Sequence, residues 1–366
     1  MISIVIPAKN RAGLIPETIE SVQSQTFVDW ELLVIDDGST DDTASVVRQF
    51  AGNCSQRVRV LRHEVSRGAA AARNSGFAVA EGNYIALLDS DDRWFPEHLE
   101  RLHAVATEKD AELVYSIAEL FEDGTERSLG PFGPSFMELR NYPLSMFQRS
   151  YVVPSACMFK QSLLQRVGPW STRHMYCEDY DWFLRATIAG CRFEHICAVT
   201  MRYRKSHNGA TTEKLCATLE ELAYTIANHA ESGFLPRRVL DRCAIGRLID
   251  AARSHRGSDP LLDPSASRRR GAELLIDAWR KRRGRIGCLI KGLQTWFQTL
   301  PATHRRRYEE VTPFIPTISG ARCVSRRPPS KVDRSPASLL FDNHDVSASE
   351  AVLQDTGVHG DFREAA

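Results

Sequence analysis

The 366-residue sequence contains no C-x-x-C pair, although it carries nine cysteines at positions 54, 157, 177, 191, 197, 216, 243, 288 and 323. An odd, scattered set of this kind argues against a disulfide framework and a zinc site, and it suits reduced thiols in the cytosol. No stretch reaches the roughly 18 consecutive apolar residues of a membrane span, and "MISIVIPAKN" has no basic leader ahead of its apolar run. Neither export nor a membrane span is expected. Net charge is missing too: 47 Lys and Arg against 46 Asp and Glu leave +1, so no whole-chain field argues for nucleic acid. No internal repeat is visible.

What is present is alternation. "ISIVIPA" (2–8), "WELLVID" (30–36), "RVRVLRH" (57–63) and "YIALLD" (84–89) read as strands, separated by helical patterns at 15–25, 41–50 and 69–80. Strands spaced by helices of this length imply βαβ units and a parallel sheet covered on both faces. A helix at about 97–109, a strand at 111–120 and an acidic turn "EDGT" (122–125) follow. Residues 130–151, with three prolines and weak periodicity, read as a loop or small subdomain.

After the helix that opens at "CEDYDW", the α/β part (1–208) is expected to end, followed by a helical region (209–316) with helices at 215–230, 237–254 and 272–300. The last segment, 317–366, is rich in Pro, Ser, Arg and Asp and reads as a disordered tail. Between Ser267 and Arg307 twelve Lys or Arg face two Asp or Glu. Helix 272–300 combines that charge with an apolar stripe including Trp296 and Phe297. It reads either as a docked amphipathic helix or as a peripheral contact with the inner face of a membrane.

Carboxylates gather where the strands end. Asp36 and Asp37 close the second strand in "VIDDGSTDDT", and Asp89, Asp91 and Asp92 follow the fourth in "LLDSDD". Open α/β sheets bind ligands beyond these carboxyl ends, and three like charges within four residues are best tolerated when a bound cation offsets them. A Mg²⁺ or Mn²⁺ site is the expectation. Turn and cap chemistry is the alternative for "DDGST" taken alone. A calcium loop starting at Asp89 fails because Arg93 and Trp94 stand where an oxygen ligand and a glycine are needed. A phosphatase D-x-D-x-T pattern also fails at Arg93.

"SIVIPAKN", "ELLVIDDGSTDDT", "RGAAAARNSGFAVAEGNYIALLDSDD" and "EDYDWFLR" together resemble the ordered motifs of family 2 glycosyltransferases of the GT-A fold. The resemblance covers about residues 1–208. It implies a Rossmann-like nucleotide-binding half with a mostly parallel twisted sheet flanked by helices, a nucleotide-diphosphate-sugar donor (a UDP-sugar above all), and a glycan or lipid-linked acceptor. Pro7, Ala8, Lys9 and Asn10 are placed by it against the nucleoside, Asp37 on base or ribose, and Arg73 at the diphosphate. Asp89 falls on ribose or metal and Asp91 on the metal, while His207 of "RYRKSHN" meets metal or phosphate. Lys9 departs from the aromatic or small residue common at its position.

The residue types suit this chemistry independently. A nucleoside diphosphate leaves poorly until a divalent cation neutralises it, and an acceptor hydroxyl needs a base in the transition state. Asp179 matches that base and Glu178 an acceptor-binding or orienting group; the competing reading of Glu178, Asp179 and Asp181 is an acidic first helical turn. Trp94, Trp170 and Trp182 are either sugar-stacking platforms or core. Two rival functions remain at this stage: a sugar-nucleotide nucleotidyltransferase, disfavoured by the glycine-poor "PAKNRAGLIPET", and a non-catalytic sugar-nucleotide or glycan-binding module.

Overall fold

Period-two alternation along "ISIVIPA" sends Ile2, Ile4, Ile6 and Ala8 into one apolar core and Val5 into another, because successive strand side chains point to opposite faces. The computed structural model describes residues 1–52, 56–205 and 215–254, with positions 270, 271, 273 and 274. Strands β1 (Ile2–Ala8), β2 (Trp30–Asp36), β3 (Arg57–Arg62) and β4 (Tyr84–Leu87) alternate with helices α1 (Ile15–Gln23), α2 (Thr43–Gly52) and α3 (Ala69–Phe77). They pair in parallel in the order β3-β2-β1-β4. This parallel half matches the βαβ reading. Strand β4 ends at Leu87, two residues earlier than the expected strand, so Asp89 lies in the loop beyond it.

The second half of the sheet is mixed. Strands β5 (Arg93–Trp94), β6 (Leu113–Glu122), β7 (Ser128–Phe132), β8 (Cys157–Lys160) and β9 (Phe193–Lys205) continue it as β4-β8-β6-β9-β5, with β7 hairpinned onto β6. Only β6 and β9 pair in parallel there. Helix α4 (His98–Glu108) precedes β6. The segment read as a loop, 130–151, holds the end of β7 and two short helices, α5 (Phe136–Arg140) and α6 (Leu144–Gln148). Their five residues each are too few to register as periodicity.

Helices α1, α2 and α4 cover one face, contributing Ile15, Ile19, Val22, Val47, Leu99 and Leu102. The other face is covered by α3 and by α8 (Glu178–Ile188), which follows the short α7 (Leu163–Val167). Alanines at 70 and 72 and Gly76 let α3 lie close to the sheet: a Cβ at Gly76 would fall 2.6 Å from a Val5 methyl. Helices α9 (Leu215–Asn228) and α10 (Arg237–Ser254) pack on the α8 side, where Ile226, Leu240 and Ala244 join the same core as Trp182 and Phe183. Each fully buried Leu, Ile or Phe side chain there contributes roughly 1.5–3 kcal/mol.

Trp94, Trp170 and Trp182 are only 4%, 1% and 0% exposed, which makes them core and closes the sugar-stacking alternative. Among the described residues no helix is long and apolar enough to cross a membrane. Leu274 is buried against Leu219, Ala223 and Leu248. The rest of the expected 272–300 helix from residue 275, the tail from 317, and His207 lie outside the described residues.

Candidate active site

The loops after β1 and β2 are laced together at the carboxyl edge of the sheet. Asn10, with φ at 52°, occupies the left-handed region that asparagine tolerates. Its N–H donates to Ser39 Oγ (2.9 Å), and its side-chain oxygen accepts from Thr40 N–H (2.9 Å). Arg11 N–H reaches Thr43 Oγ1 at 2.8 Å, and Ala12 N–H reaches Asp41 at 3.0 Å. Pro7 and Ala8 end β1 at this edge, and Lys9 and Asn10 are exposed beyond them.

Turn chemistry accounts for much of "DDGST". Asp36 accepts from Ser39 N–H at 2.9 Å, Asp41 caps α2 by accepting from Thr43 N–H at 3.1 Å, and Gly38 turns the chain at φ 69°. A Cβ on Gly38 would meet Ser66 N at 2.8 Å, so the loop 63–68 lies directly against it. Asp37 is 4% exposed and binds that loop. One carboxylate oxygen meets His63 Nδ1 (2.6 Å) and Arg67 N–H (2.8 Å); the other accepts from Ser66 Oγ (2.6 Å) and Gly68 N–H (2.9 Å). Burial alone would raise its pKa, but these bonds hold it below the ordinary carboxylate value.

Beyond β4 the three aspartates divide their roles. Asp92 is fully enclosed: Ser155 Oγ donates to it at 2.6 Å and Arg204 N–H at 2.9 Å, while burial and the charges of Asp91 and Asp89 push its pKa well above the usual range. Ser155 Oγ also accepts from Asp89 N–H at 3.0 Å, so one hydroxyl pins both ends of the turn. Arg204 completes the frame from β9. Its Nε donates to Asp91 O (2.8 Å), and its guanidinium reaches Asp123 (2.8 Å) and Glu17 (2.7 Å). Thus fixed, the carboxylates of Asp89 and Asp91 remain 28% and 33% exposed. Burial and then Asp89 raise the pKa of Asp91, against the pull of Arg11, whose Nη2 lies 3.6 Å away, and of Arg204.

Arg73 joins this turn to α8. It is 4% exposed, stacks over Trp170 at 4.6 Å, and donates to Asp89 Oδ1 (2.6 Å) and Glu178 Oε1 (3.2 Å). Burial disfavours its charge, yet Asp89, Glu178 and Asp179 outweigh that and hold it protonated. Asp179 follows Glu178 at the start of α8. Burial and then repulsion from Glu178 push its pKa up to about 7, while Arg73 and a bond from Tyr180 N–H (2.7 Å) pull the other way. Asp181, only two residues on, is different: Arg185 (2.8 Å), His229 (3.0 Å) and His174 surround it, and despite burial its carboxyl sits far below the usual range.

A divalent cation fits the turn. Mg²⁺ and Mn²⁺ accept oxygen donors, and Mg²⁺ commonly takes one or two carboxylates and completes its shell with substrate phosphates and water. Asp89 and Asp91 supply such a pair, and at Asp91 burial and the repulsion from Asp89 outweigh the pull of Arg11 and Arg204. Among the described residues no group of three or more His, Cys, Asp or Glu is preassembled around a metal, so such a site would draw its remaining donors from elsewhere.

Asp89, Arg73, Glu178 and Asp179 therefore meet, with Asp91 beside them and Pro7 to Asn10 on the same edge. Ser155, Arg204 and Arg11 have no individual role in the sequence reading, and Asp92, grouped there with Asp89 and Asp91 as a cation cluster, is instead buried and bonded by Ser155 and Arg204. Arg204 stands in the quoted "RYRKSHN", but its partners lie 81 to 187 residues away, beyond any local pattern.

A family model described as "Glycosyl transferase family 2" matches residues 3–168. The Escherichia coli UDP-Glc:alpha-D-GlcNAc-diphosphoundecaprenol beta-1,3-glucosyltransferase WfgD is 36% identical over 125 residues, 34% of this chain and 48% of that protein. The chain spans half the length or less of this and similar curated relatives. Among solved structures, S. aureus TarS 1-349 in complex with UDP-GlcNAc aligns with a TM-score of 0.57 at 17% identity, covering 86% of this chain and 93% of that one. Mannosyltransferase PcManGT from Pyrobaculum calidifontis, in complex with GDP-Man and Mn²⁺, aligns with a TM-score of 0.53 at 16% identity, over 84% and 83% of the two chains. Residues 3–168 are therefore similar to glycosyl transferase family 2, and the fold is one that these neighbours share.

Proposed function

We propose that the protein is an inverting, metal-dependent glycosyltransferase that moves a sugar from a nucleotide-diphosphate donor to a hydroxyl of a glycan or lipid-linked acceptor, in polysaccharide or glycoconjugate synthesis. A UDP-sugar is the favoured donor, supported by the donor in the name of the E. coli relative and by UDP-GlcNAc in the S. aureus neighbour. The observation that carries the reading is the Arg73 bridge, which holds Asp89 of the turn and Glu178 beside a raised-pKa Asp179.

Mg²⁺ or Mn²⁺ held by Asp89 and Asp91, with His207 as a further ligand, would neutralise charge on the leaving diphosphate. Pro7, Ala8, Lys9 and Asn10 receive the nucleoside. Asp37 serves that pocket through the loop 63–68, because four hydrogen bonds already use the acceptor capacity of its carboxylate. Arg73 and Arg11 bring positive charge to the diphosphate.

Asp179 takes the acceptor proton as the hydroxyl oxygen bonds to the anomeric carbon and the bond to the diphosphate breaks, which inverts that carbon. A carboxyl with a pKa near 7 is a far stronger base than an ordinary aspartate, yet is still substantially ionised at neutral pH. Glu178, neutralised in part by Arg73, orients the acceptor. A screen of UDP- and GDP-sugars for hydrolysis with and without Mn²⁺ tests this without an acceptor. Metal-dependent release of nucleoside diphosphate supports it; tight binding with no release under any condition would favour a non-catalytic binding module.

A further inference from the structure

Helix α8 begins at Glu178 without help from its own cap: Cys177 makes no side-chain hydrogen bond to the first turn. What fixes the segment entering it is a residue more than forty positions later, on α9. Glu221 Oε1 accepts from Met175 N–H (2.8 Å) and meets His174 Nδ1 (3.1 Å), and Glu221 Oε2 accepts from Tyr176 N–H (2.8 Å). Cys177 Sγ then donates to Thr218 O (3.5 Å), one turn earlier on α9. Four consecutive residues, 174 to 177, are thereby held by one helix immediately before Glu178 and Asp179. One turn into α8, Asp181 binds His229 just after α9, so the helix is gripped on both sides of the site pair.

We propose that Glu221 is a positioning residue for glycosyl transfer: as an anionic clamp on the backbone of 175 and 176, it sets where Asp179 stands relative to the acceptor hydroxyl. The inference rests on the reading of Asp179 as base. Its physical content is that a carboxylate accepting backbone N–H groups makes charge-assisted bonds, stronger than neutral ones and confined in direction. A glutamine at 221 keeps the shape, but its amide nitrogen faces an N–H it cannot accept. Glu221 then serves the site from α9, which lies beyond the residues 3–168 that match the family.

The test uses the full-length chain and the UDP-sugar hydrolysed fastest with Mn²⁺, comparing Glu221→Gln, Glu221→Asp, Glu220→Gln and Asp179→Asn. Both Glu221 variants should lower kcat about 10-fold or more while donor KM stays within about 2-fold, since small misplacements of a reacting group are costly in rate. Glu220→Gln, which alters the neighbouring carboxylate that pairs with Arg270, should leave kcat unchanged. In an Asp179→Asn background, Glu221→Gln should add less than about 2-fold, because it acts through the lost base. If Glu221→Gln does not fold, Glu221→Asp carries the same test, keeping the charge and withdrawing it by one methylene. Normal kcat in Asp179→Asn ends the base reading and this inference with it. Impaired Asp179→Asn alongside normal kcat in the folded Glu221 variants overturns the clamp alone, as does a fully additive double mutant.

Discussion

Arg73 Nη2 donates to Asp89 Oδ1 over 2.6 Å, and this bond joins a buried cation on α3 to the carboxylate turn after β4. The same guanidinium holds Glu178, so its removal leaves two carboxylates facing each other without a cation. Breaking a buried charge network costs about 3–5 kcal/mol, and the lower end applies because Asp89 and Glu178 keep partial solvent contact. Arg73→Ala should therefore lose about 3 kcal/mol in denaturant unfolding. Arg73→Lys should lose less stability but still bind UDP weakly, since lysine lacks the fork that reaches both partners. An Arg73→Ala protein as stable as wild type would remove the bridge from the account.

Asp179 predicts a pH dependence of known sign. Its folded pKa, about 7, lies above the ordinary aspartate value, so between about pH 4 and 7 the folded state holds more protons than the unfolded one. Stability contributed by this group is intact below about pH 4 and is lost as pH rises through 7. Asp179→Asn should raise Tm at pH 8 and change it little at pH 4, while wild-type kcat should fall on the acid side of about pH 7 as the base protonates. An acid limb at the ordinary carboxylate value would show that another group titrates.

Ser155→Ala tests the frame rather than the ligands. The substitution strips one partner from the buried Asp92 carboxylate and another from Asp89 N–H, at a cost of about 1–3 kcal/mol. Calorimetry should also show weaker Mn²⁺-dependent UDP binding, because the turn carrying Asp89 and Asp91 loosens. Unaltered binding in a destabilised protein would mean the hydroxyl supports the fold alone.

The parallel half of the sheet was legible because each strand is an apolar run closed by turn residues, and because the helices between them are of βαβ length. The meeting of "LLDSDD" with "EDYDWFLR" was legible only through the family resemblance. Their link is Arg73, which no periodicity connects to Glu178, 105 residues away. The mixed half of the sheet escaped for a related reason: "CMFK" pairs antiparallel with both β4 and β6, and four residues hold no directional signal. Asp37 and Asp179 show the limit at side-chain level. Each is the second carboxylate of an adjacent acidic pair, Asp36-Asp37 or Glu178-Asp179, yet four hydrogen bonds lower the pKa of one, while burial beside Glu178 raises the other.

Asp91→Ala should keep the fold, since the structural bonds of the turn belong to Asp92, Ser155 and Arg204. Calorimetry of UDP binding should then show the same affinity with and without Mn²⁺, where wild type binds more tightly with it. Retained metal-dependent tightening would move the metal off this carboxylate.

The most direct test of the account separates binding from turnover at Asp179. Asp179→Asn, assayed with the preferred UDP-sugar and Mn²⁺, should hold donor affinity within a few-fold and lower kcat at least roughly 100-fold, the scale of lost general-base help. A variant that binds donor normally and turns it over at close to the wild-type rate would contradict the assignment of the base.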